Sequence, residues 1–169
     1  MIASVRAVLS LGSNLGDRER NLRDAVAAIA ATPGVTIDAA SGIVETAAIK
    51  PFGVDESAPA YLNAVIRVST SMAPLELLAA AAAIESDHGR VREVRWGDRT
   101  LDIDIVTYGE LRQDDGTLTL PHPRAAERSF VLVPWLDIEP DAVLPGIGRI
   151  DGLPAASESV SRYPAEALS

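Results

Sequence analysis

Apolar and polar positions alternate over residues 5–11, which predicts a strand with Val5, Ala7, Leu9 and Leu11 on one face. The turn Gly12-Ser-Asn-Leu-Gly16 follows, with Ser13 or Asn14 as candidate helix cap. It reads equally as a site-lining turn or as a plain connector. Leu22, Val26 and Ile29 recur at helical spacing over residues 17–31, and Pro33-Gly34 stops that helix. Residues 35–45 predict a strand bent near Ser41-Gly42, and residues 46–60 a long loop broken by Pro51, Gly53 and Pro59. Alternation is strongest over residues 61–69. Leu62, Ala64, Ile66 and Val68 face one way there, and Tyr61, Asn63, Val65 and Arg67 the other. Pro74 opens a second helix that runs to about Asp87 on leucines and alanines.

The next alternating run, Thr100-Leu-Asp-Ile-Asp-Ile-Val106, predicts a strand ending by Tyr108. Leu101, Ile103 and Ile105 face the core, and Asp102 and Asp104 share the opposite face. Residues 109–117 are polar, with a turn at Asp114-Asp115-Gly116. Residues 124–128 predict a short helix, and residues 130–136 an apolar core segment. Residues 140–150 read as irregular, and 154–169 as a loosely ordered tail rich in Ala, Ser and Glu.

The order is βαββαβ, the α+β ferredoxin-like sandwich, with two helices packed on one face of an antiparallel sheet. Strand parity then places Tyr61, Asn63, Asp102 and Asp104 together on the face away from the helices. At 169 residues the chain is one domain, expected to span residues 1–153 before the C-terminal extension. A chain of that size buries about two-thirds of its unfolded surface, enough for a core without staples.

Composition narrows the partners. Cysteine is absent, which excludes disulfides and thiol chemistry. The first residues lack a signal-peptide pattern, and no apolar run approaches the roughly 18 residues of a membrane span. The expectation is a soluble cytoplasmic protein, monomeric or weakly dimeric. A net charge of −9 and a pI of about 4.6 argue against nonspecific binding to nucleic acid or anionic membranes. Lys50 is the sole lysine, so a P-loop is excluded.

Against that acidic background, Arg90, Arg92, Arg95 and Arg99 gather around Trp96, just before Asp102 and Asp104. Two adjacent carboxylates repel unless a cation joins them or one takes a proton. Mg²⁺ suits such a pair, because it takes one or two carboxylates, keeps waters, and completes its shell with substrate phosphates. Guanidinium forks match phosphate oxygens. A short D-x-D alone is weak, but acids and arginines in one stretch point to a polyphosphate clamp. Asn63 beside Tyr61 suits a flat heterocycle, or is a cross-strand polar pair on a solvent face. His122, held between two prolines, reads as a phosphate contact, a phosphoryl-carrying nucleophile, or a turn histidine bonded to backbone.

Several motifs resemble one family, the 6-hydroxymethyl-7,8-dihydropterin pyrophosphokinases of folate synthesis. They are Leu11-Gly-Ser-Asn-Leu15, Tyr61-Leu-Asn-Ala64, Ile84-Glu85, Gly89-Arg-Val-Arg92 with Arg95-Trp-Gly-x-Arg-x-Leu-Asp-x-Asp104, and Pro121-His122 with Arg128 and Phe130. The resemblance implies Mg²⁺-dependent transfer of pyrophosphate from ATP to the pterin hydroxymethyl group, releasing AMP. It implies that Asp102 and Asp104 bind two Mg²⁺ ions, and that Arg90 and Arg92 act from a closing loop. It places Glu85, Trp96, Arg99, Ile105, Thr119, His122 and Arg128 with them at the ATP site. It assigns the pterin to Asn63, Tyr61 and Phe130, with Thr46, Ala47 and Ile49 beside the ring. The chain departs from the family pattern at Asp98, usually proline, and at Ala82, often glutamine; its 50–60 loop is also longer than in short members. The rival class is a non-catalytic ferredoxin-like ligand- or RNA-binding module. Its sheet face would need several stacking aromatics and a basic surface, against an aromatic content of 4% and an acidic chain.

Overall fold

A computed structural model describes residues 4–50, 53–55, 60–87, 100–164 and 168. The first strand, β1 (Val5–Ser13), leads into helix α1 (Arg18–Ala30). β1 runs to Ser13, so the cap falls downstream of the expected Ser13 or Asn14: Asp17 accepts a hydrogen bond from the Arg20 amide at 3.2 Å. The expected bent strand is two strands, β2 (Val35–Ala40) and β3 (Val44–Thr46). Between them Ser41 keeps the chain attached to Val65, accepting from its amide through Oγ and donating to its carbonyl, both at 2.9 Å. The long loop holds a small hairpin, β4 (Ala48–Lys50) with β5 (Gly53–Asp55).

Strand β6 (Tyr61–Thr70), helix α2 (Pro74–Asp87) and strand β7 (Asp102–Tyr108) complete the ferredoxin-like unit. All pairings are antiparallel. β6 lies between β1 on one side and β2 and β3 on the other, and β7 pairs the far side of β1. After β7 come the hairpin β8 (Gln113–Asp114) and β9 (Thr119–Leu120), a 3₁₀ turn at Ala125–Glu127, and helix α3 (Ser129–Ile138). The stretch expected to be irregular carries a third hairpin, β10 (Val143–Leu144) with β11 (Gly148–Arg149).

Apolar alternation builds the main core. Leu9, Leu11, Leu62, Ile66 and Ile103 point from the sheet onto Leu22 and Ile29 of α1 and Leu77 and Ile84 of α2. The opposite face is not open along its whole length, as the two-helix expectation had it. Val8, Val65 and Val106 meet Val131, Leu132 and Trp135 of α3, with Leu144 and Ile150 closing a second core. Trp135 donates its Nε1 hydrogen to Glu139 at 2.9 Å, and Glu139 in turn pairs with Arg67 of β6 at 3.3 Å. That chain of contacts fastens the end of α3 to the sheet.

The segment from Pro154 onward was expected to be loose, and its described residues are packed. Strand β12 (Ser161–Arg162) pairs with Glu45 and Val44 of β3. Arg162 holds both carboxylate oxygens of Asp137, Tyr163 donates to the Ile43 carbonyl, and Leu168 is buried in the main core. The physical reason is an otherwise unpaired outer edge on β3, which the tail completes.

Candidate functional site

The site grows from β1 at Gly12. Across one edge Gly12 pairs with Asn63 of β6, and across the other with Asp102 of β7. Ser10, two residues back on the same face, pairs with Asp104. Asp102 and Asp104 therefore stand on one face, as the strand period requires. A carboxylate pair on opposite faces, or one wholly swallowed by the core, would have ended the metal hypothesis; both residues are half-buried instead.

Cationic and aromatic groups gather beside Asp104. The Arg128 guanidinium lies 3.8 Å from its Oδ2 and His122 Nε2 lies 4.0 Å away. Arg128 also sits over the Phe130 ring, 5.5 Å from its centroid. The His122 backbone is pinned by donation to the Val106 carbonyl at 2.9 Å, and its Nδ1 accepts from the Arg124 amide at 3.2 Å. Burial first, then the neighbouring Arg128 and Arg124, lowers the His122 pKa to about 4, against an opposing pull from Asp102. The ring is neutral at pH 7, and with Nδ1 accepting, the proton is on Nε2. Nε2 is thus a donor, which disfavours the phosphoryl-carrying alternative.

Of the pterin candidates, Asn63, Thr46 and Tyr61 come together on the other side of Gly12, whereas Phe130 lies with Arg128, beside Asp104. Asn63, 4% exposed, donates from Nδ2 to Thr46 Oγ1 at 3.1 Å. Thr46 is paired with Tyr61, and exposed Ala47 follows it. Arg18 fixes both ends of the intervening loop, donating to Glu45 at 2.9 Å and to the Ala60 carbonyl at 2.8 Å.

Two sequence-predicted nucleotide residues are turned inward. Glu85 is 3% exposed and accepts from the Ile103 amide at 2.8 Å, so it braces the strand between the two acids. The Ile105 side chain lies in the main core, which leaves only its main chain for a ligand. Thr119 is half-buried on β9 and its hydroxyl donates to Asp114 at 3.1 Å. Arg90, Arg92, Trp96 and Arg99 lie outside the described residues, as does the Ile49 side chain.

Sequence reading missed Asn21. Its amide nitrogen reaches Ser13 Oγ at 3.2 Å, the Leu15 carbonyl at 2.9 Å and the Thr100 carbonyl at 3.3 Å, tying the first turn to the approach to Asp102. Nothing in its helical position signals that role. Among the described residues no three His, Cys, Asp or Glu side chains cluster as a closed metal cage. A two-carboxylate site still fits Mg²⁺, which leaves positions for water and phosphate, and fits poorly a structural Zn²⁺.

The chain is similar to known proteins over most of its length. The 2-amino-4-hydroxy-6-hydroxymethyldihydropteridine pyrophosphokinase of Methylorubrum extorquens is 44% identical over 141 residues, covering 83% of this chain and 87% of that protein. The protein of the same name from Pseudomonas aeruginosa is 38% identical over 161 residues, covering 94% and 97%. A solved Plasmodium falciparum HPPK-DHPS chain with pteroate aligns at a TM-score of 0.64 over 87% of this chain. At 14% identity it speaks for the fold alone, and this chain spans 42% of that longer one. The sequence profile of one family covers residues 8–140, from the strand that holds Gly12 to the end of α3, and on that match the chain belongs to the 7,8-dihydro-6-hydroxymethylpterin-pyrophosphokinase (HPPK) family.

Proposed function

We propose that this chain transfers the terminal pyrophosphoryl group of ATP to the hydroxymethyl oxygen of 6-hydroxymethyl-7,8-dihydropterin and releases AMP. The observation that carries the reading is the pairing of Gly12 with Asn63 on one side and Asp102 on the other, because it sets a heterocycle-binding amide next to a carboxylate pair. Asp102 and Asp104 would hold Mg²⁺, which when bound neutralises phosphate charge and orients the polyphosphate. Arg128 adds a fixed positive charge beside Asp104, and the His122 Nε2 hydrogen is available to a phosphate oxygen. Arg90, Arg92 and Arg99, outside the described residues, are the further phosphate contacts of this reading.

Transfer of this kind asks the protein chiefly for position and charge. The pterin hydroxyl attacks the β-phosphorus in line. A new C–O–P linkage forms, the bond from the β-phosphorus to the α,β-bridging oxygen breaks, and AMP departs with that oxygen. Asn63, held by Thr46, reads the pterin edge, and Tyr61 and Phe130 lie against its ring. Of the described residues, none is assigned as general base. None of the chain's described helices is long and apolar enough to cross a membrane.

The test is direct. Protein, ATP, Mg²⁺ and hydroxymethyl-dihydropterin are mixed and AMP is followed. AMP is expected only when pterin and Mg²⁺ are both present. AMP formation indifferent to pterin would remove the proposal.

A further inference from the structure

Gly12 carries no side chain, yet the structure leaves no room for one. A Cβ built there would stand 2.8 Å from Asn63 Oδ1 and 3.5 Å from Tyr61 Cδ1. The first distance is closer than real contacts allow. Asn63 is not a loose tip that can swing away, since its Nδ2 is bonded to Thr46 Oγ1 and the residue is 4% exposed. The carboxamide thus spans its own strand, with its oxygen over the Gly12 backbone of β1 and its nitrogen on β3. Gly12 is also the residue of β1 that faces Asp102.

From these contacts we infer that Gly12 is a positioning residue that sets the separation between the pterin-reading amide and the metal-binding acids. Residues two strands apart stand roughly 10 Å from each other if their side chains rise straight from the sheet. A carboxamide whose oxygen reaches over a glycine shortens the span from that oxygen to the acids, as a reaction joining two substrates across β1 requires. Any side chain at position 12 props Asn63 upright and breaks its bond to Thr46. The inference rests on Asn63 as the pterin contact.

Two variants approach the amide from opposite ends. Gly12→Ala displaces its oxygen and Thr46→Val releases its nitrogen. Each is compared with wild type for pterin affinity and, separately, for affinity toward a non-hydrolysable ATP analogue with Mg²⁺. Thermal melts confirm the fold, and the Asn63 side-chain amide signals are followed by NMR without ligand. Both variants are expected to shift those signals and to weaken pterin binding by about tenfold or more, with nucleotide affinity within about twofold of wild type. Should Gly12→Ala fail to fold, the double variant Gly12→Ala/Asn63→Ala, which removes the clashing oxygen, is expected to fold, and a double variant that stays unfolded overturns the inference. Unmoved Asn63 signals, unchanged pterin affinity, or equal losses for pterin and nucleotide would overturn the inference. A wild-type protein that binds no pterin would instead remove the functional reading beneath it.

Discussion

Glu85 offers the sharpest quantitative test of how the acid strand is held. Its Oε2 accepts from the Ile103 amide at 2.8 Å, and the residue is 3% exposed. Ile103 lies between Asp102 and Asp104, so this bond adds to the β1 ladder in holding the backbone that carries both acids. Glu85→Ala removes the acceptor and leaves a buried amide unsatisfied, at roughly 1–3 kcal/mol. For a domain of this length each kcal/mol moves the melting temperature by about 2–4 °C. The expected fall is therefore roughly 2–12 °C. Glu85→Gln keeps a carbonyl oxygen at the same reach and is expected to lose less. Melts of the three proteins at pH 7 give the comparison, and pterin-dependent AMP release gives the second readout. Glu85→Ala is expected to lower turnover beyond its effect on stability, because the strand that carries the acids loses the brace on its side away from β1. A Glu85→Ala melt indistinguishable from wild type would refute the bracing role, and equal losses for Ala and Gln would trace the effect to charge instead.

Asp102→Asn combined with Asp104→Asn is expected to abolish pterin-dependent AMP formation while far-UV circular dichroism stays unchanged; substantial residual turnover would contradict metal binding there. His122 has a folded pKa of about 4 against an ordinary 6.5, so the unfolded chain binds more protons between those values. The resulting stability is fully present above pH 6.5 and is lost as pH falls toward 4. Melts at pH 7 and pH 5 should therefore separate more for wild type than for His122→Gln, and equal separations would count against a buried neutral ring. Leu168 is 2% exposed and also lines a groove of about 510 Å³ beside α1 and β2, so Leu168→Ala is expected near the low end for buried leucines, about 2 kcal/mol. A genuinely loose tail would leave the melt unmoved.

Period alone carried much of the fold. The helix at Pro74–Asp87 follows from residues whose burial repeats at helical spacing, and the alternation on β1, β6 and β7 sorts their apolar residues between the two cores, although β1 is buried on both faces from Ala7 to Ser13. Helix α3 was legible as core but not as helix. Its central run Phe130-Val-Leu-Val-Pro-Trp-Leu136 is apolar throughout, is rich in β-branched and aromatic residues, and contains Pro134, which removes a backbone donor inside the helix. The tail was illegible because what orders it is the open edge of β3, far away in sequence. In the site, parity placed Asp102, Asp104, Tyr61 and Asn63 correctly by face. The inward turn of Glu85 and the reach of Asn21 depend on side-chain direction at contacts 18 and 79 residues away, which no local pattern encodes.

Helix α3 explains why the site occupies one end of the sheet. Along one face of three neighbouring strands the residues run Val8, Ser10, Gly12 on β1, then Asn63, Val65, Arg67 on β6, and Asp102, Asp104, Val106 on β7. The valines at one end are sealed by Val131, Leu132 and Trp135. The polar residues at the other end belong to the same continuous strands, with the main core packed beneath them. Each functional side chain therefore rises from a strand whose underside is wholly packed and whose far end is packed on both sides. A third helix long enough to cover the whole face would bury the acids, and its absence would leave Val65 and Val106 in water. Partial cover by α3 gives a rigid floor under groups that must stay within reach of solvent-borne substrates.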